Sequence, residues 1–138
     1  MFTQKCFIRK NNTPLILKLD SIGYKTNPLV STEEFFNKKL FLVTDTNGYF
    51  LPVKSQNILP GCLDCGKNEE LFIAIASIRD DSPYMQHFIY NVDTMSIKKG
   101  TWSLCVHNDQ IAINNLIDMG IIRKASVSEL IEHFKDKK

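Results

Sequence analysis

Residues 68–79 read NEELFIAIASIR, with seven apolar side chains between the acidic start and Arg79. A helix written this way has no wide polar face, so other elements must wrap it. Its start is well marked. Gly66 breaks what precedes, Asn68 offers a capping oxygen, and Glu69 and Glu70 fall where the helix dipole favours negative charge. Its end is marked by Asp80, Asp81, Ser82 and Pro83. A buried strand is the competing reading of any short apolar run. The cap, the length and the two alanines favour a central buried helix over 68–79.

Outward from this stretch, turn signals divide the chain into short elements. Lys5 to Arg9 predicts a strand, and Leu15, Ile16, Leu19 and Ile22 a helix with Thr13 as cap, Pro14 in its first turn and Gly23 at its end. Ser31 or Thr32 would cap a short helix through Glu33 to Phe36. The apolar runs around 39–44 and 49–54 flank Asn47-Gly48, the clearest hairpin signal in the chain, and Pro52 places the second run at an edge or makes it short. A brief strand before Asp64, strands over 85–92 and 101–107, a helix from Asn108 or Asp109 to Gly120, and a strand over 121–124 complete the middle. Ser126 and Glu129 form a capping box, followed by the stripe Val127, Leu130, Ile131 and Phe134 of a surface helix. These elements predict one α+β domain spanning 1–138. Its sheet is mixed or mainly antiparallel, of about five or six strands, with roughly three to five helices.

The totals exclude several classes. A chain of 138 residues buries roughly two-thirds of its unfolded surface and folds without a disulfide or metal. The net charge of +2 is too small to imply nucleic acid unless the cations cluster. MFTQKCFIRK has neither an apolar core nor a small-residue cleavage site, and no apolar run approaches membrane-spanning length. The cytoplasm is the expected compartment, with the four cysteines reduced and no membrane partner.

Three segments, near the start (KCFIRKN-TP), in the middle (LDCGKNEELFIAIASIRDD) and at the end (RKASVSELIEHF), resemble a family of small uncharacterised proteins. That family is encoded by gut-commensal bacteria and their phages or other mobile elements. The resemblance implies no activity, cofactor or site residue. It implies a setting of accessory genes, where small single-domain proteins often act by binding other macromolecules.

Four constellations have the residue types that chemistry needs. Cys62-x-x-Cys65 with Cys105-x-His107 offers three thiolates and an imidazole, a set tetrahedral zinc accepts, although one intervening residue is short for the second pair. Buried core thiols are the simpler account. A cysteine nucleophile with His87, His107 or His133 as base needs a contact that spacing does not show, and no nucleophile elbow, P-loop or dinucleotide loop is present. Asp80-Asp81 suits a cation or a turn, and aspartates that start turns are commoner. Finally, Arg9-Lys10, Lys67 and Arg123-Lys124 precede three helix starts, where free backbone donors favour phosphate. If the preceding strands were neighbours, these ends would make a basic patch, with Trp102, Tyr84 and Tyr90 available to stack on bases. The expectation is a non-catalytic protein that needs no cofactor and binds another protein. A nucleic-acid or phosphate binder is the alternative, and a zinc-binding domain a further one.

Overall fold

The computed structural model describes residues 2–26, 39–54, 56, 58, 60–106 and 109–135. Within it the apolar stretch forms the helix α2, Glu69–Ala76 in the numbering used below, and each residue from Leu71 to Ala76 is buried. The elements, in chain order, are β1 (Cys6–Ile8), α1 (Thr13–Ile22), β2 (Lys25–Thr26), β3 (Phe41–Thr44), β4 (Tyr49–Val53) and β5 (Leu63–Asp64). After α2 come β6 (His87–Tyr90), β7 (Trp102–Leu104), α3 (Gln110–Asp118), β8 (Ile122–Lys124) and α4 (Val127–Phe134). The α+β class stands. The strands, however, divide between a mixed five-stranded sheet, β2-β4-β3-β1-β5, and an antiparallel three-stranded sheet, β7-β6-β8. Local pattern marks a strand but not its neighbours, which is why a single sheet was the simpler expectation.

Helix α2 is surrounded by these layers. It packs on β1, α1 and α4, and one core cluster joins Ile8, Leu19 and Leu42 on the larger sheet's side to Ile89 and Leu130 on the other. The Asn68 side-chain oxygen accepts from Leu71 N at 3.0 Å, as its capping position demands. The helix stops at Ala76, three residues before the expected end at Arg79. Its last turn tightens as Ile78 N bonds Ile75 O, and Arg79 then pairs with Phe2 in an isolated antiparallel bridge. Tyr24, fully buried, closes this end by donating its hydroxyl to Ala76 O at 2.7 Å.

The other signals resolve one by one. Asn12, not Thr13, caps α1, accepting from Leu15 N at 2.9 Å, so Pro14 falls one position deeper. The hairpin at Asn47-Gly48 joins β3 to β4 through a wider loop than a two-residue turn. Asp45 Oδ1 accepts from Asn47 N and Tyr49 N, and Gly48 takes the left-handed φ of 90°. Pro52 does not put β4 at an edge. Among the described residues β2 pairs with Tyr49 and Phe50, so the proline lies beyond that pairing. The residues read as irregular after Gly23 include β2. The short helix expected near Phe35 lies outside the described residues, as does His107. The capping box of α4 is formed in both directions.

Helix α3 is the exception to this packing. It carries an apolar stripe and a cap on Asp109, yet none of its residues is buried. It lies against the outer face of the smaller sheet, the face of Phe88 and Ile122. A groove of about 330 Å³ runs between helix and sheet, bordered by Phe88, Val106, Ile113 and Leu116.

Candidate functional site

A cleft of about 410 Å³ opens where the start of α2, the strands β6 and β7 and the end of α4 meet. Its apolar surface comes from Ile73, Ala74, Met85, Trp102, Leu104 and Phe134, and its rim carries Glu69, Glu70 and Lys18. Each wall has a local cause. Register pairs Ile89 with Trp102 and His87 with Leu104, so strand alternation turns all four toward α2. Ser103, opposite Phe88, points to the other face. On α4, His133 precedes the buried Phe134, and the Asn68 side-chain nitrogen donates to Phe134 O at 2.9 Å. That bond ties the end of α4 to the start of α2.

The rings form one assembly. Trp102 and His133 stack with centroids 4.0 Å apart and planes 13° from parallel. His87 meets Trp102 edge-on at 6.1 Å and Phe134 at 5.4 Å. Met85, on the cleft floor, has a φ of 64°, rare outside glycine, and its N–H donates to Cys105 O at 2.6 Å. Buried Gln86 holds this turn by donating to the carbonyls of Arg79 and Ser82 at 2.7 and 2.6 Å.

The cations ahead of the helix starts are only partly brought together. β1 and β5 are parallel neighbours, so Arg9, Lys10 and Lys67 share one end of the larger sheet. Two of them are matched by carboxylates there. Arg9 chelates Asp64 through Nε and Nη2, and Lys10 pairs with Glu69 at 2.5 Å. Arg9 holds the Asp64 carboxyl below the usual range, helped by a bond from Gly66 N. Lys67 is exposed. Arg123 and Lys124 sit elsewhere, because β8 belongs to the smaller sheet. Lys124 donates to Arg79 O at 2.8 Å, past the far end of α2, and an eight-residue helix separates the two ends by about 12 Å. Arg123 is engaged by Glu129, with bonds of 2.6 and 2.7 Å.

The thiols of the zinc set are divided as well, with Cys105 away from Cys62 and Cys65. Cys65 is buried in the core cluster beside α2, and its thiol is pushed up by a hydrogen bond with Cys6 and by burial. Half-buried Cys62 is pushed up by burial too. Both shifts favour the thiol over the nucleophilic thiolate. Cys105 borders the groove under α3, on the opposite face of the smaller sheet from α2. Among the described residues no three His, Cys, Asp or Glu side chains gather as a metal-binding group. The zinc set would need His107, which lies outside the described residues.

The sequence singled out Trp102 as a stacking group and His133 only as a candidate base. His133 is exposed, yet its ring covers the indole. No motif announces the cleft, because its walls come from elements far apart in the chain. Only the pairing of His133 with buried Phe134 at the end of an amphipathic helix hinted at an aromatic end.

These features define a small α+β domain with an aromatic-walled cleft between a buried helix and a three-stranded sheet. No family model matches the chain, and no similar curated protein or solved structure was found. Among the described residues no helix is long and apolar enough to cross a membrane.

Proposed function

We propose that this is a small non-catalytic binding protein that takes apolar side chains of a partner protein into the cleft at Trp102. It would act in the cytoplasm of a bacterium, as an accessory protein of the kind that phages and mobile elements encode. The observation that carries the reading is the cleft itself: open, apolar, of ligand-binding size, and walled by aromatic rings. Tryptophan is among the usual anchors of protein contacts, where a partner's side chains exclude water from the pocket. Catalysis finds less support. Ser103 faces away from His87, and Cys62 and Cys65 are held as thiols. Phosphate binding is weakened by the carboxylates already paired with Arg9, Lys10 and Arg123.

Affinity capture from host cells with the wild-type chain and with Trp102→Ala tests this. Wild type should retain a protein that the variant loses at least tenfold. A nucleic acid recovered equally with both would overturn the reading in favour of phosphate binding at the Lys67 end.

A further inference from the structure

Two sheets have four edge strands among the described residues, and three of them carry charge. Lys25 stands on β2, Asp64 on β5, and Arg123 and Lys124 on β8. Charged side chains on an edge discourage a further strand from pairing there. β7 has none. From Thr101 to Val106 the sequence is TWSLCV, without charge or proline, and Leu104 and Val106 are 41% and 55% exposed.

The hydrogen bonds show which groups this edge offers. Thr101 O accepts from Tyr90 N, and Cys105 N donates to Gln86 O, both at 3.0 Å. In an antiparallel pair, alternate residues direct both backbone groups to one neighbour. Residues 101, 103 and 105 therefore serve β6, and the N–H and C=O of Trp102 and Leu104 point outward. The two faces beside this edge are both recessed. The Trp102 cleft lies on the α2 side, and the groove under α3 lies on the other.

We propose that β7 is a strand-addition site: an extended segment of a partner protein pairs with the outward groups of Trp102 and Leu104. Its alternate side chains enter the cleft on one face and the groove on the other. This rests on the protein-binding reading and specifies the partner's form. Main-chain bonds would supply affinity and the two recesses selectivity, as strand addition requires. The occupant needs apolar residues at both parities. A second copy of β7 does not meet that need, since it would present Ser103 and Cys105 to the outer groove.

The test uses the full chain and a displayed library of random decapeptides, followed by synthesis of an enriched peptide. Trp102 is the only tryptophan, so its emission reports binding at the cleft. Methylating the peptide's backbone nitrogens one at a time should weaken binding about tenfold at every second residue, the size of a lost hydrogen bond. The intervening positions should change less than twofold. Leu104→Pro removes an outward donor and no β6 bond, so it should weaken binding at least tenfold while Leu104→Ala weakens it less. If the proline variant fails to fold, the methylation series decides alone. Peptides that bind with a helical spacing, or that ignore methylation, overturn strand addition but leave protein binding intact. A chain that dimerises through β7, and a library that yields no binder, each overturn the proposal, and the second removes the protein-binding reading with it.

Discussion

Helices α2 and α3 are both apolar in stripe, both capped by a side-chain oxygen 3.0 Å from a backbone nitrogen, and of nearly equal length. One has six consecutive buried residues and the other none. The difference lies both in the helices, since α3 has a polar face that α2 lacks, and in what surrounds them. Among the described residues α2 packs on β1, α1 and α4, while α3 packs on β8 and faces the outer side of the three-stranded sheet across a groove. The helix on one face of the smaller sheet is therefore covered from Leu71 to Ala76 and the helix on the other is not, while both faces keep accessible apolar recesses. β7, at the boundary, takes part in both.

The sharpest way to break this comparison is to place a charge in each helix. Ile75 is 1% exposed, so Ile75→Asp buries an unpaired carboxylate and should cost several kcal/mol, on the order of the whole stability of a domain. Ile113, at the equivalent apolar stripe of α3, borders the groove and can hydrate a charge. Ile113→Asp should leave the global melting temperature within a few degrees of wild type, a shift of less than about 1 kcal/mol. Thermal denaturation followed by circular dichroism decides the matter. Equal destabilisation by both substitutions would mean that α3 belongs to the core.

What the sequence revealed follows the same division. The run from Leu71 to Ala76 left no polar face, so burial was legible without knowing the neighbours. α3 has the stripe of a packed helix, and nothing in residues 109–120 says that its partner face is too small to cover it. The Asn47-Gly48 hairpin and the Ser126–Glu129 capping box were legible because their contacts lie within a few residues. The cleft was not, because Glu70, Met85, Trp102 and His133 meet only through tertiary packing. The cations before the helix starts are legible as a pattern. Their counterions Asp64, Glu69 and Glu129 were also in view, but which charge each would meet depended on pairing across the chain.

A smaller effect separates the two caps. Asn68 both caps α2 and donates to Phe134 O, so Asn68→Ala should cost about 2 kcal/mol of global stability, one cap and one hydrogen bond together. Asp109→Ala removes a similar cap from α3, worth about 1 kcal/mol to that helix. If α3 opens independently, this loss appears as faster amide exchange over residues 110–118 and not as a lower melting temperature. Asn68→Asp keeps the capping oxygen but sets a charged acceptor against the Phe134 carbonyl in place of the donor, so it breaks the tie to α4 while the cap remains. Its cost should fall between those of wild type and Asn68→Ala.

The smallest expected effect concerns how α4 is fastened on the side opposite α3. Glu129 is held at about 2, below its ordinary 4.5, first by its bonds from Arg123 and then by the backbone N–H of Ser126. A carboxyl depressed in the folded state contributes stability above its unfolded value and loses that contribution as pH falls. The window here runs from 4.5 down to about 2. Because 32% of the Glu129 side chain is exposed, solvent screens the pair and its worth is at most about 1 kcal/mol. Acid should therefore loosen the start of α4 without unfolding α2, and the His133–Trp102 stack at the other end would transmit the change to the indole. Tryptophan emission followed from pH 5 to about 2 should show a transition in wild type that Glu129→Gln lacks. If both chains respond identically, the attachment of α4 rests on buried Leu130 and Phe134, the Asn68 bond and the His133–Trp102 stack, and the salt bridge with Arg123 contributes nothing to the shape of the cleft.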